Sequence, residues 1–157
     1  MELYFFRHGD SEEPSATVSD AERQLTEVGR RETSAVATAL RRAGLRPEII
    51  VTSPLRRARQ TAEIIQNLFG ISAQPDERLA PGCSLAQVRE LARHHPYARI
   101  LLVGHEPDFS RIVGQLIGTA SVGMAKSGLA RVHCDRIEPG AGTLIWLLSA
   151  DLFPEGL

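Results

Sequence analysis

Three short apolar runs, Leu3 to Phe6, Ile49 to Val51 and Ile100 to Val103, each stop at a polar or glycine-containing cluster and lead on toward a segment of helical apolar spacing. Runs of that length without alternation are what a strand covered on both faces requires, because water reaches neither side of it. The intervening stretches are long enough for helical crossovers, so the strands can run parallel and present their C-terminal ends on one edge. The pattern predicts an α/β fold, a three-layer sandwich with a largely parallel central sheet flanked by helices. With 157 residues, 43% of them apolar, there is material for one packed core, and a single domain over residues 1–157 is expected.

Local signals fill in the elements. Thr26 caps a helix whose apolar residues Val28, Ala35, Val36, Ala39, Leu40 and Ala43 recur at helical spacing up to Gly44. Ser53 and Pro54 suit the N-cap and first position of a second helix, which buries Ala58, Ala62, Ile65 and Phe69 and ends at Gly70. A short strand is expected at Ile71 to Ala73, a helix from Ser84 to His94, and another from Pro107 to about Ile117. Strands near Leu129 to Asp135 and Thr143 to Leu148, joined by the Pro139 to Gly142 turn, complete the chain. The polar stretch from Asp10 to Arg23 has no sustained period and reads as a loop.

Eighteen Lys and Arg face nineteen Asp and Glu, so no global basic field draws in nucleic acid or an anionic membrane surface, and any anion site must be local. Aromatics at 5% are too few for a base-stacking platform. Cys83 and Cys134 stand far apart without a C-x-x-C pair and read as reduced thiols. No apolar run approaches the 18 or so residues of a membrane span, and Arg7, His8 and Asp10 interrupt the first run before it could serve as a signal sequence. A cytoplasmic protein is expected. His94 and His95 suit the negative end of a helix better than a metal, and Gly140-Ala141-Gly142 precedes a strand, which makes it a turn and not a dinucleotide fingerprint.

Past the ends of the three central strands lie Arg7-His8-Gly9, Ser53 to Arg57 and Gly104-His105. Ligands of open α/β sheets bind outside those strand ends, so two imidazoles and at least one guanidinium converge there. An arginine fork grips phosphate in bidentate fashion, and a neutral imidazole can attack phosphorus or carry a proton. Two arginines and a helix N-terminus balance a phosphoryl charge near −2, so the charge count needs no metal, and there is neither a P-loop nor a magnesium-type Asp cluster. At about 100° per residue, Arg56 falls opposite the core stripe of its helix, while Arg57 and Arg59 flank it. Arg57 lies nearer the strand end, but helix geometry leaves Arg59 open.

Arg7-His8-Gly9, the segment Ser53-Pro54-Leu55-Arg56-Arg57-Ala58-Arg59-Gln60-Thr61 and Val103-Gly104-His105-Glu106-Pro107 resemble the three signature blocks of the histidine phosphatase superfamily, which has the phosphoglycerate mutase-like fold. Leu25 to Gly29 resembles the block that opens that family's first helix. The Arg-His-Gly-Asp opening and Lys126-Ser127-Gly128-Leu129-Ala130 look like the bacterial phosphohistidine phosphatases of the SixA type. The resemblance implies that His8 is the nucleophile of a phosphohistidine intermediate, and that Arg7, Arg57 and His105 bind the transferred phosphoryl group. It also selects Arg57, immediately before Ala58, as the inward arginine.

Ester-cleaving members of the superfamily carry a glutamate acid shortly after a block like Glu77-Arg78-Leu79, where this chain has Pro81. An alkoxide leaves poorly without such an acid, whereas an imidazole protonated on its other nitrogen leaves readily. The expected substrate is therefore a phosphohistidine-bearing protein, such as a histidine phosphotransfer domain, with phosphate released and no cofactor. Glu106, Glu77 and Asp10 remain candidate acids, although Glu106 equally suits a helix-start carboxylate. A phosphatase of small phosphate esters and a phosphate-binding module without turnover are the alternatives. Few residues between Gly70 and Pro96 lie outside a helix, so an open site is expected.

Overall fold

In the computed structural model, which describes residues 1–154, β1 (Glu2–Arg7), β2 (Ile49–Thr52), β3 (Ala73–Pro75), β4 (Arg99–Gly104), β5 (Leu129–Cys134) and β6 (Gly142–Leu148) form one sheet. Their order is β3-β2-β4-β1-β5-β6. The first four pair in parallel, and β5 is antiparallel to both its neighbours, so it alone runs against the rest. α1 (Glu27–Arg42) and α2 (Arg56–Phe69) cover one face, and α3 (Leu85–His94) and α4 (Asp108–Ile117) the other. Successive residues of β1 separate accordingly. Leu3 and Phe5 join Val88, Leu91 and Ile112 in one core, and Tyr4 and Phe6 join Val36, Leu40, Ala62 and Ile65 in the other. This is the expected three-layer α/β sandwich with a largely parallel sheet.

The caps explain most helix boundaries. The Thr26 hydroxyl accepts the Gly29 amide at 3.0 Å, Ser84 and Gln87 form a reciprocal capping box, and Gly70 ends α2 in the left-handed conformation.

Three local expectations are corrected. Ser53 does not cap α2, and Pro54 is not in it: the helix opens at Arg56 after an extended Leu55. The backbone of Ser53 instead continues the sheet, its amide donating to the Val103 carbonyl at 2.9 Å. β3 lies at Ala73–Pro75 and not at Ile71 to Ala73, pairing Ile50 with Ala73 and Thr52 with Pro75. Pro75 is tolerated because β3 is an edge strand. Finally, Val28 on α1 and Ala43 at its C-cap are exposed, and the buried stripe of the helix is Gly29, Thr33, Val36, Ala37 and Leu40. Its first turns bury small and polar residues because the chain after β1 lies directly on them. A Cβ on Gly9 would stand 2.8 Å from the Thr33 hydroxyl and 2.9 Å from the Gly29 carbonyl.

No helix among the described residues is long and apolar enough to cross a membrane. Cys83 and Cys134 are buried free thiols, and burial pushes Cys83 up to about 12.

Candidate active site

Strand register assembles the site. β1 and β4 end side by side with Arg7 opposite Gly104, so the next residue of each strand, His8 and His105, falls at the same level. The His8 amide donates to the Gly104 carbonyl at 3.0 Å, and the Ser53 amide extends the β2 to β4 pairing in the same way. The imidazoles lie with centroids 5.2 Å apart and planes tilted by 58°.

His8 is 8% exposed and holds one tautomer. Its Nδ1 is 2.7 Å from the Gly9 carbonyl oxygen, which can only accept, so Nδ1 carries the proton and Nε2 keeps a lone pair. The Arg57 Nε–H donates to that Nε2 at 3.3 Å. Burial pushes the His8 pKa down to about 4 against the bond to Gly9, and the charges of Arg57 and Arg7 add to the fall. Burial, then His8 and Arg57, takes His105 down to about 3. Both rings are neutral at pH 7. His105 Nε2 meets the Ser53 hydroxyl at 2.7 Å, and that oxygen also accepts the Leu55 amide at 3.2 Å.

Arg57 is 4% exposed, whereas Arg59 is exposed, which resolves the choice that helix periodicity leaves open. Thr61, one turn on, donates to the Arg57 carbonyl at 2.8 Å and accepts the Gly9 amide at 3.1 Å, tying α2 to the His8 loop. Arg7 donates through a terminal nitrogen to the Met124 carbonyl at 2.7 Å. Its Nε and the Nδ1 of His105 are buried nitrogens without a partner among the described residues. Such leftover polar capacity costs stability and leaves both nitrogens free to bond a ligand.

The four residues Arg7, His8, Arg57 and His105 line one hollow of about 320 Å³, together with Ser11, Glu13, Asp20, Arg23, Pro81, Glu106 and Lys126. Of the candidate acids only Glu106 is there. It accepts the Ser110 amide at 3.1 Å and a short bond from the Ser110 hydroxyl, the helix-start role that its position also allowed. Glu77 is exposed away from the hollow, and Asp10 is bonded to Lys126 and Thr26 at 2.7 Å each. The Gly70 to Pro96 segment contributes only Pro81, as the open-site expectation implies, but the Asp10 to Arg23 stretch supplies a wall. Far from a featureless loop, that stretch contains a 3₁₀ turn at Asp20–Glu22 and a bridge between Ser11 and Leu25.

Sequence reasoning missed Asp20, Arg23, Lys126 and the contact of Ser53. Arg57 donates to the Asp20 carbonyl at 2.7 Å and pairs with its carboxylate at 3.3 Å, and Arg23 holds the same carboxylate at 3.0 Å. The local signal was an acid and an arginine three apart in a polar stretch, which is common on any surface.

The neutral histidines couple the site to acid stability. Their folded pKa values lie below the ordinary histidine value near 6.5, so the unfolded chain takes up protons first as pH falls. Stability is undiminished above about pH 6.5 and falls below it, approaching about 1.4 kcal/mol per pH unit for each histidine until the folded rings titrate. Urea unfolding at pH 7 and pH 5 is expected to show this drop, reduced in His105→Gln. Equal pH dependence in the two proteins contradicts the assignment.

The comparisons with known proteins fit this geometry. The family model of the histidine phosphatase superfamily, branch 1, matches residues 3–81. The chain belongs to the histidine phosphatase superfamily. An uncharacterized protein of Picosynechococcus sp. is 46% identical over 112 residues, 69% of this chain and 68% of that protein. The phosphohistidine phosphatase SixA of Escherichia coli is 30% identical over 156 residues, 95% of this chain and 94% of that protein. The solved structure of the protein histidine phosphatase SixA with tungstate superposes with a TM-score of 0.86 at 28% identity, covering 97% of this chain and 99% of that one. The SixA-type resemblance and the fold read from the sequence therefore hold, and with this membership comes an enzyme class, phosphatase.

Proposed function

We propose that this histidine phosphatase hydrolyses phosphohistidine carried on a protein, through a covalent phosphohistidine on its own His8 and without a metal. The observation that carries the reading is the state of His8: a buried neutral ring whose Nδ1 is committed to Gly9 and whose Nε2 lone pair lies beside Arg57. A phosphoryl group held by the Arg57 and Arg7 guanidiniums presents phosphorus to that lone pair. As the His8 Nε2–P bond forms, the P–N bond to the substrate imidazole breaks. Its electron pair stays on a nitrogen heterocycle already protonated at the other position. Water then attacks phosphorus, His8 leaves with the electron pair, and inorganic phosphate departs.

Two arginines close the charge balance, with Arg23 and Lys126 at the rim, so the positive field a cation supplies elsewhere is supplied here by side chains. His105, neutral and beside His8, serves as a hydrogen-bonding partner of the phosphoryl oxygens. The substrate reading rests on Pro81. It stands in the wall where ester-cleaving relatives carry an acid, and two of the three carboxylates of the hollow are engaged, Glu106 by Ser110 and Asp20 by Arg57 and Arg23, while the third, Glu13, is exposed on the wall formed by the Asp10 to Arg23 stretch. A leaving group needing no protein acid fits such a site.

Turnover of a phosphohistidine-bearing protein against phosphoglycerates and sugar phosphates tests the choice. The expected preference for phosphohistidine is about tenfold or more in kcat/KM. Faster ester cleavage would make this an ester phosphatase, and phosphate binding with no turnover of either would make it a binding module.

Asp20 gives a second expectation. Its carboxylate sits on the guanidinium that the phosphoryl group needs, so substrate must displace it. Asp20→Asn is expected to tighten inhibition by inorganic phosphate roughly two- to fivefold, the scale of an ion pair with one exposed partner. Weaker inhibition would mean that Asp20 positions Arg57 and does not compete for it.

A further inference from the structure

We propose that the opposite end of the sheet carries a second ligand site, one that takes a planar aromatic monocarboxylate. A cavity of about 560 Å³ opens there between the C-terminal end of α1, the first half of β1, the start of β4 and the β5–β6 hairpin. Its volume is that of small-molecule sites in general. α4 packs on β5 and β6 from the other face. On this face Trp146 and Leu148 reach past the cover of α1, and the gap between them and Leu40 is the cavity.

The walls specify the chemistry. Tyr4 and Trp146 supply aromatic surface. Tyr4 is 2% exposed, and its hydroxyl makes no hydrogen bond among the described residues but is not shut off from solvent. That hydroxyl can exchange a solvent partner for an acceptor brought in by a ligand. Three guanidiniums complete the lining, and their partners differ. Arg131 is held by Glu2 at 2.6 Å and lies 5.9 Å from the Tyr4 ring centroid. Arg99 is paired with Glu48 at 3.6 Å and donates to the Arg46 carbonyl at 2.6 Å. Among the described residues, Arg46 bonds only to main-chain oxygens, those of Leu45 at 2.8 Å and Arg41 at 3.2 Å.

Two of the three cations are thus neutralised and one is not, which suits a single negative charge. Flat walls and guanidinium planes favour a ring over an aliphatic chain. A carboxylate on that ring reaches the unpaired Arg46 and accepts from the Tyr4 hydroxyl. The site is separate from the catalytic hollow: Tyr4 precedes His8 by four residues along β1, about 13 Å at ~3.3 Å per residue.

The chain has one tryptophan, so a single indole N–H resonance reports on this cavity. Titration with benzoate is expected to move that resonance saturably, with benzamide and cyclohexanecarboxylate binding about tenfold more weakly or worse. Arg46→Ala and Tyr4→Phe should each weaken benzoate about fivefold or more while phosphatase turnover stays at the wild-type level. Inorganic phosphate should leave the benzoate response unchanged. An indole resonance that does not move, equal responses to the three probes, or undiminished benzoate binding in Arg46→Ala overturns the proposal.

Discussion

His8→Ala is expected to lower kcat/KM by about 10⁴-fold or more, the scale on which enzymes lose activity when a covalent nucleophile is removed. In the proposed mechanism no other side chain can take over. His105 is neutral too, but its Nε2 is engaged by the Ser53 hydroxyl, and its Nδ1 is buried. The fold should survive, because among the described residues the side chain of His8 makes hydrogen bonds only to Gly9 and Arg57 and the backbone pairing at Gly104 does not depend on it. Retained circular dichroism and phosphate binding in the variant would separate lost chemistry from lost structure. A variant within tenfold of wild type would mean that His8 is not the nucleophile.

Arg57→Ala is the second large effect, about 10²- to 10³-fold in kcat/KM, as for removal of one oxyanion donor in a buried site. Arg57 acts at two points. Its Nε–H lies against the His8 lone pair, and its terminal nitrogens hold the Asp20 turn over the hollow. A lysine has neither the fork nor the reach to both, so Arg57→Lys should recover little. Arg59→Ala, exposed on the same helix, should stay within about twofold and serves as the control. Comparable losses at Arg57 and Arg59 would contradict the inward placement.

Much of this was legible in the sequence because it is local. Apolar runs such as Ile100 to Val103 mark strands buried on both faces, and in a parallel sheet the residue after each run must lie at the edge where ligands bind. His8 and His105 could therefore be placed together although they are far apart in the chain. What was not legible depends on contacts with no local signal. Ser53-Pro54 looks like a helix start, but the hydroxyl goes to His105, 52 residues away, and the helix begins later. Val28 fits the apolar period of α1, yet the turn is seated by Gly29 and Thr33 because the loop after β1, with Gly9 and Asp10, presses on it. Asp20 and Arg23 reach the hollow through a 3₁₀ turn in a stretch with no periodicity to announce it. Functional ends of elements are where small and polar residues replace the apolar pattern, and there the pattern loses its power to predict.

The covalent step can be observed directly. Rapid acid-free quenching after mixing the protein with a ³²P-labelled phosphohistidine protein, followed by peptide mapping, should place an alkali-stable, acid-labile label on His8, absent from His8→Ala. Turnover of the labelled protein at the wild-type rate with no label on His8, or with the label on another residue, contradicts the account.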